Sequence, residues 1–441
     1  MRFGAFGSVM LAVSFLVGQL GQPNQAGLAA TTGGAQKSGS KEAAAQHAKG
    51  SASNLAAPQV ASARQNKATA PCDWTPILMT PVCEPRLFRG SDGLYNLVYE
   101  MQLTNYCSKP TKILSFEVDN AKGGLIKSYT PSALHSVMLN LSAAKPSESG
   151  KSNDSDVLPA GGSAVIWMNL EFKDRESAPK ELTHKIVIET EFAGKVRRFE
   201  NAHSKLAVDN KPPVVVGPPL KGGRWYASGG YAGNFGHRHA LFPLGNRLVN
   251  AQRFAIDWLL MTDDDHAFKG DGKECSHYPG YGKQLIAAAD GTVIGVIDRY
   301  EDQIPNDPKG DDLAFYPGGN TAVIDIGNGY YAFYAHMKPG SVKVKEGQKV
   351  KRGDVIGDLG SSGNSSAPHL HFHVMDGPSI LGSQGVPYVF DSFTVNGAAN
   401  NEEKAEKAIE NGGAAPIVKS KFDGKHKDEL PREGMLIVFP E

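Results

Sequence analysis

The chain has 441 residues, 46 Lys plus Arg set against 46 Asp plus Glu, and four cysteines. That length allows two or three domains of ordinary size. The zero net charge removes the basic excess that would argue for nucleic acid and the acidic excess of a solvating tail. Met1 and Arg2 precede an apolar run from Val9 to Val17, too short to span a bilayer but suited to the core of a secretory signal, and mostly small residues follow from Ala26 to Ala30. Residues 1–30 therefore read as a signal peptide cleaved near Ala29 or Ala30, with an uncleaved anchor as the alternative. The expectation is an exported protein, periplasmic or extracellular, with no stable membrane span after cleavage. In that compartment Cys72, Cys83, Cys107 and Cys275 are free to oxidise, so at least one structural disulfide is expected, with three pairings open.

Residues 31–71 are Ala, Ser, Gly, Gln and Lys with almost nothing large and apolar, a low-complexity linker. From 72 to 210, short alternating runs are separated by turn residues: Tyr95–Leu103, Ile113–Val118, Ala164–Phe172 and Lys185–Phe192 read as strands. This pattern predicts an N-terminal immunoglobulin-like β-sandwich. Asn140-Leu-Ser and Asn153-Asp-Ser match the glycosylation pattern, a short and weak signal. The proline-rich stretch at 211–222 is a stiff connector and marks the domain boundary. Residues 223–396 turn glycine-rich and again strand-like, with Gln284–Ala289 and Gly291–Asp298 about Asp290-Gly291, a hairpin at Gly327-Asn-Gly329, and further strands at Ser341–Val344 and Val355–Leu359. A tail, 397–441, holds a short polar helix from Glu402 to Asn411 and a last strand from Met435 to Phe439. The fold class is mainly β.

Three histidines alternate along His369-Leu-His371-Phe-His373. On a strand, His369 and His371 share one face roughly 7 Å apart while Leu370 and Phe372 face a core. Such a pair can present one imidazole to a metal and another to a water upon it. His373 extends that face, lining a groove or capping the strand end. Asp263-Asp-Asp-His266 lacks the spacing and central glycine of a calcium loop, and Gly360-Ser-Ser-Gly363 lacks the lysine of a phosphate loop. Both read as turns or solvated loops.

Taken in order, Tyr334-Ala-His336-Met, Val344 through Gly357 with its Glu-Gly347 and Arg-Gly353-Asp, and Gly360 through Phe372 resemble the core of the lysostaphin-type zinc metallopeptidases. Phe235-Gly-His-Arg238 and Gly282 through Val293 resemble it too. The resemblance covers about 225 to 395 and implies a duplicated hybrid β-sheet motif with a groove that cuts peptide bonds in peptidoglycan cross-links. It implies one Zn2+, with Asp257 and His371 as ligands and His336 and His369 as the remaining active-site histidines, acting on peptidoglycan peptides. His369 would take the proton from water, and His336 would hold that water or steady the oxyanion. Where the family has a ligand histidine four residues before the aspartate, however, this chain has Arg253. A guanidinium has no lone pair for zinc. His237 or His239 is the candidate third ligand, with Arg253 turned toward substrate carboxylates in the groove or toward an acidic neighbour. The competing expectation, motivated by Arg253, is a non-catalytic domain that binds cell-wall peptides or regulates a partner cell-wall hydrolase.

Overall fold

A computed structural model describes residues 74–142, 156–233, 236–309 and 316–441. The signal-like segment, the linker, Cys72 and Asn153 lie outside these residues. Cys83, Cys107 and Cys275 are all free thiols, so the expected disulfide does not form among those three. No helix among the described residues is long and apolar enough to cross a membrane.

The N-terminal part consists of two five-stranded antiparallel sheets. One contains Ile77–Pro81, Phe88–Arg89, Tyr95–Asn105, Ser163–Phe172 and Met138–Asn140. The other contains Lys195–Ala207, Glu181–Phe192, Thr111–Asn120, Leu125–Tyr129 and Val157–Leu158. Leu97, Tyr99, Met101, Ile166 and Met168 of the first sheet meet Ile113, Phe116, Ile186 and Ile188 of the second in one core, as alternation on a pleated strand requires. Asn140 is buried and donates from Nδ2 to the Val157 carbonyl at 3.0 Å, which rules out a glycan there.

An eleven-stranded sheet organises the rest. Its central strands run Thr321–Gly327, Tyr330–Ala335, Leu370–Met375, Ile256–Leu260, Trp225–Ser228, Met435–Val438 and Phe393–Ala399. The expected last strand forms as Met435–Val438 and packs back on the domain, between Trp225–Ser228 and Phe393–Ala399 inside the sheet. The connector also joins in: Val214–Val216 pairs in parallel with Tyr388–Phe390. Ser341–Val344 forms no strand. The helix forms over Glu402–Glu410, capped by Asn401, whose side chain accepts from the Lys404 amide, and it buries Ala405 and Ile409 against Tyr226 and Leu436.

Both sheet systems pack as one unit from Thr75 onward. Val98 points out of the sandwich into the main core of the large sheet, and Glu100 and Trp167 face the same way. That is why Tyr95–Asn105 and Ser163–Phe172 are buried on both faces.

Candidate metal centre

The site grows from one cross-strand register. Asp257 on Ile256–Leu260 lies directly opposite His371 on Leu370–Met375, and Ala335 lies opposite His371 from the other side. Directly paired residues project to the same face, so His371 Nδ1 comes 2.9 Å from Asp257 Oδ1. His369, two residues before it on the same face, brings Nε2 to 3.4 Å from that oxygen. His336 follows the end of Tyr330–Ala335 with φ +60°, a backbone state that side-chain-bearing residues rarely adopt. It is held there by its amide on the Gly318 carbonyl and by its own carbonyl accepting the Gly360 amide. The ring thereby turns back toward His369, at 4.6 Å between centroids.

The third ligand candidate comes from a short turn. Gly236–His239 forms a single 3₁₀ turn in which His237 points at the aspartate, Nε2 to Oδ2 3.2 Å. Its Nδ1 donates to the Gly229 carbonyl at 2.8 Å, which leaves Nε2 as the nitrogen facing Asp257. His239 points away and stacks on Trp167 of the sandwich, with ring centroids 4.0 Å apart. The turn is fixed by the fully buried Arg238 between them. Its carbonyl accepts from Trp167 Nε1 and from Asn250 Nδ2, both at 2.7 Å, and its guanidinium donates to the Met168 carbonyl at 3.0 Å.

Arg253 does not reach the groove. It is buried, donates from Nε to both oxygens of Glu100 on the sandwich at 3.0 and 2.8 Å, and from Nη2 to Gln384 Oε1 at 2.8 Å. A buried guanidinium requires such a partner, and of the two expectations for Arg253 this is the acidic neighbour, not substrate carboxylates. His373 is likewise not a groove residue. It is buried behind the site, with Nδ1 2.9 Å from His371 Nε2 and its ring 5.0 Å from that of Phe333. From there it orients His371, as outer partners of ligand imidazoles commonly do.

The donor set suits a divalent ion. His237, Asp257 and His371 each offer one ligand atom, all within 4.8 Å of one another. Two imidazole nitrogens and one carboxylate oxygen are a zinc-type set that leaves a fourth position open. Burial pushes the Asp257 carboxyl up, but His237 and His369 beside it prevail and hold it well below the usual carboxylate range. Burial lowers His371 to about 4 against the pull of Asp257. His336 is lowered well below the ordinary value by burial and by its neighbouring imidazoles. Buried and neutral, His336 gives its Nδ1 proton to the Ser362 carbonyl at 2.8 Å, and His369 gives its own to the Ala367 carbonyl at 2.7 Å. His336 then presents a bare Nε2. The close approach that places Ser362 needs glycine: a Cβ on Gly319, φ +59°, would sit 2.4 Å from the Ser362 carbonyl carbon.

These groups line a cavity of about 440 Å³ between the sandwich and the large sheet. Within it the segment 277–381, which carries His336, His369 and His371, matches Peptidase family M23. The resemblance to lysostaphin-type metallopeptidases is thus a family match over that segment, while His237 and Asp257 precede it. Among curated relatives, the peptidoglycan DD-endopeptidase ShyA of Vibrio cholerae is 44% identical over 57 residues, 13% of this chain and 13% of its own length. The glycyl-glycine endopeptidase ALE-1 of Staphylococcus capitis is 44% identical over 61 residues, 14% of this chain and 16% of its own. The chain therefore spans about a seventh of the length of these relatives. Among solved structures, the catalytic domain of the prophage-encoded M23 protein EnpA from Enterococcus faecalis is 22% identical with a TM-score of 0.23, covering 38% of this chain and 92% of that one.

Proposed function

We propose that the protein is an exported metal-dependent endopeptidase that hydrolyses peptide bonds in peptidoglycan cross-links, with one Zn2+ held by His237, Asp257 and His371. The convergence of two imidazole nitrogens and a carboxylate within 4.8 Å, beside two further imidazoles, is the observation that carries this reading. The named activities of the relatives above support the substrate class. When bound, such an ion supplies polarisation of the scissile carbonyl and acidification of water. His369 Nε2 is the proton acceptor, kept in that tautomer by the Ala367 carbonyl. His336 accepts a hydrogen bond from the attacking water at Nε2 and orients it. A neutral ring bonded through Nδ1 to Ser362 has no proton left to give an oxyanion, so of its two expected roles only holding water fits.

The non-catalytic alternative was motivated by Arg253, whose charge is matched by Glu100, so that residue does not favour it. Purified protein reconstituted with zinc is expected to bind one ion and to release peptide fragments from isolated peptidoglycan, and His371→Ala to lose both. Stoichiometric zinc without cleavage of any peptide would return the protein to a binding role, and absence of bound zinc would overturn the site itself.

A further inference from the structure

Of the three proposed ligands, His237 alone is carried by a turn rather than a strand. The sandwich holds its backbone, through Trp167 and the Met168 carbonyl on Arg238. Its ring is aimed by something else, the Gly229 carbonyl that accepts from Nδ1. Gly229 opens the loop after Trp225–Ser228 at φ +70°, and a Cβ there would sit 2.9 Å from that same nitrogen, so only glycine lets the backbone come so near. Two carboxyl groups from the C-terminal part of the fold grip this loop on either side of Gly229. Glu406, on the helix Glu402–Glu410, accepts from Ser228 Oγ at 2.9 Å, and Glu433 accepts through Oε2 from the Ala232 amide at 3.1 Å. The Gly434 amide adds a bond to the Ala227 carbonyl at 2.8 Å. Ser228 itself stands directly opposite Asp257 in the sheet.

We propose that Glu406 and Glu433 are positioning residues for the metal centre: by clamping Ser228 and Ala232 they set the Gly229 carbonyl, and so the direction in which His237 Nε2 points. The inference rests on the zinc reading of the site and gives it a support outside the family-matched segment, 277–381. Stability offers little reason for either group. Glu433 is 8% exposed, and its Oε1 has no partner among the described residues. Burial pushes both carboxyls up to about 7, with Glu402 adding to the effect at Glu433 and Arg432 opposing it. Each acid therefore sits where its charge is costly. A fixed direction is what the two bonds provide, because a ligand imidazole whose other nitrogen is held keeps its tautomer and orientation. The fit leaves no slack: a Cβ on Gly230 would lie 2.7 Å from Glu433 Oε2.

The test uses the full-length protein and reads zinc affinity by chelator competition, with unfolding of the zinc-free protein as a control for the fold. Glu433→Ala and Ser228→Ala are each expected to weaken zinc binding by about 10-fold or more, the usual loss when an outer partner of a ligand imidazole is removed. Glu433→Gln keeps an acceptor for the Ala232 amide and should recover most of that loss. The deciding measurement is a cycle with His237→Ala. In that background the same two changes should alter zinc affinity by less than about 2-fold, because the ring they aim is gone. An equal loss with and without His237, or no loss in either single variant, overturns the positioning role and leaves the hydrolase reading standing. Zinc binding that follows the expected cycle, without cleavage of peptidoglycan, overturns the hydrolase reading and leaves the positioning role standing. A parent protein that binds no zinc overturns both.

Discussion

The two sheets of the sandwich have the same strand number and opposite surroundings. Lys195–Ala207, on one sheet, is almost wholly exposed apart from Leu206, whereas Ser163–Phe172, on the other, is buried nearly throughout. The contrast teaches what the sheet of Ser163–Phe172 is for. Its inward face makes the sandwich core, and its outward face holds Arg253 through Glu100 and carries the anchors of the Gly236–His239 turn: the Met168 carbonyl on Arg238, and Trp167 on both His239 and the Arg238 carbonyl. A strand covered on both faces loses the polar half of its alternation, and its apolar run is the mark of docking.

The largest way to break that difference is Glu100→Ala. It leaves Arg253, and Arg238 3.7 Å from the same carboxylate, as buried charges without their partner. A loss of about 3–5 kcal/mol in denaturant unfolding is expected. Arg253→His, which puts in the residue that the resemblance implies there, falls on the same ion pair and is expected to cost stability without raising zinc content, as metal analysis would reveal.

A smaller effect joins the two sheets. His184 on the exposed sheet accepts at Nε2 from the Tyr99 hydroxyl of the docked sheet at 2.7 Å and donates from Nδ1 to the Ser204 carbonyl at 3.1 Å. Burial lowers its pKa to about 4, against which the Ser204 carbonyl pulls weakly upward. Above about pH 6.5 the ring is neutral folded and unfolded, so it adds no pH dependence. Between about 6.5 and 4 the unfolded chain takes up a proton that the folded one refuses. Stability should then fall toward acid with a slope approaching about 1.4 kcal/mol per pH unit from this group, and His184→Gln should flatten the profile. The smallest effect is the control. Val196→Thr on the exposed strand, 72% exposed, should leave the unfolding midpoint within about 0.5 kcal/mol of the parent.

The legible part of the site was its local part. Period-two spacing put His369 and His371 on one face, and the resemblance supplied Asp257 as a partner, which the strand register brings opposite His371. What the sequence left open was decided by residues far along the chain. Between His237 and His239 the choice follows from Trp167, which takes one ring and holds the backbone that aims the other. Arg253 was ambiguous because Glu100 is 153 positions away. The strands Tyr95–Leu103 and Ala164–Phe172 were readable from composition, but that their outward residues meet a second domain was not, since no local pattern names a partner. The run Met435–Phe439 announced a strand and gave no hint that it would lie mid-sheet.

That last strand has a consequence for how the molecule is made. Trp225–Ser228 hydrogen-bonds on one flank to the strand of Asp257 and on the other to Met435–Val438. A polypeptide emerging from the ribosome would present that second flank with no mate until Met435–Val438, far along the chain, arrives. Non-local pairing of this kind is slow and leaves a sticky edge meanwhile. The scaffold of the candidate metal site would thus become rigid only after Met435–Val438 has been made.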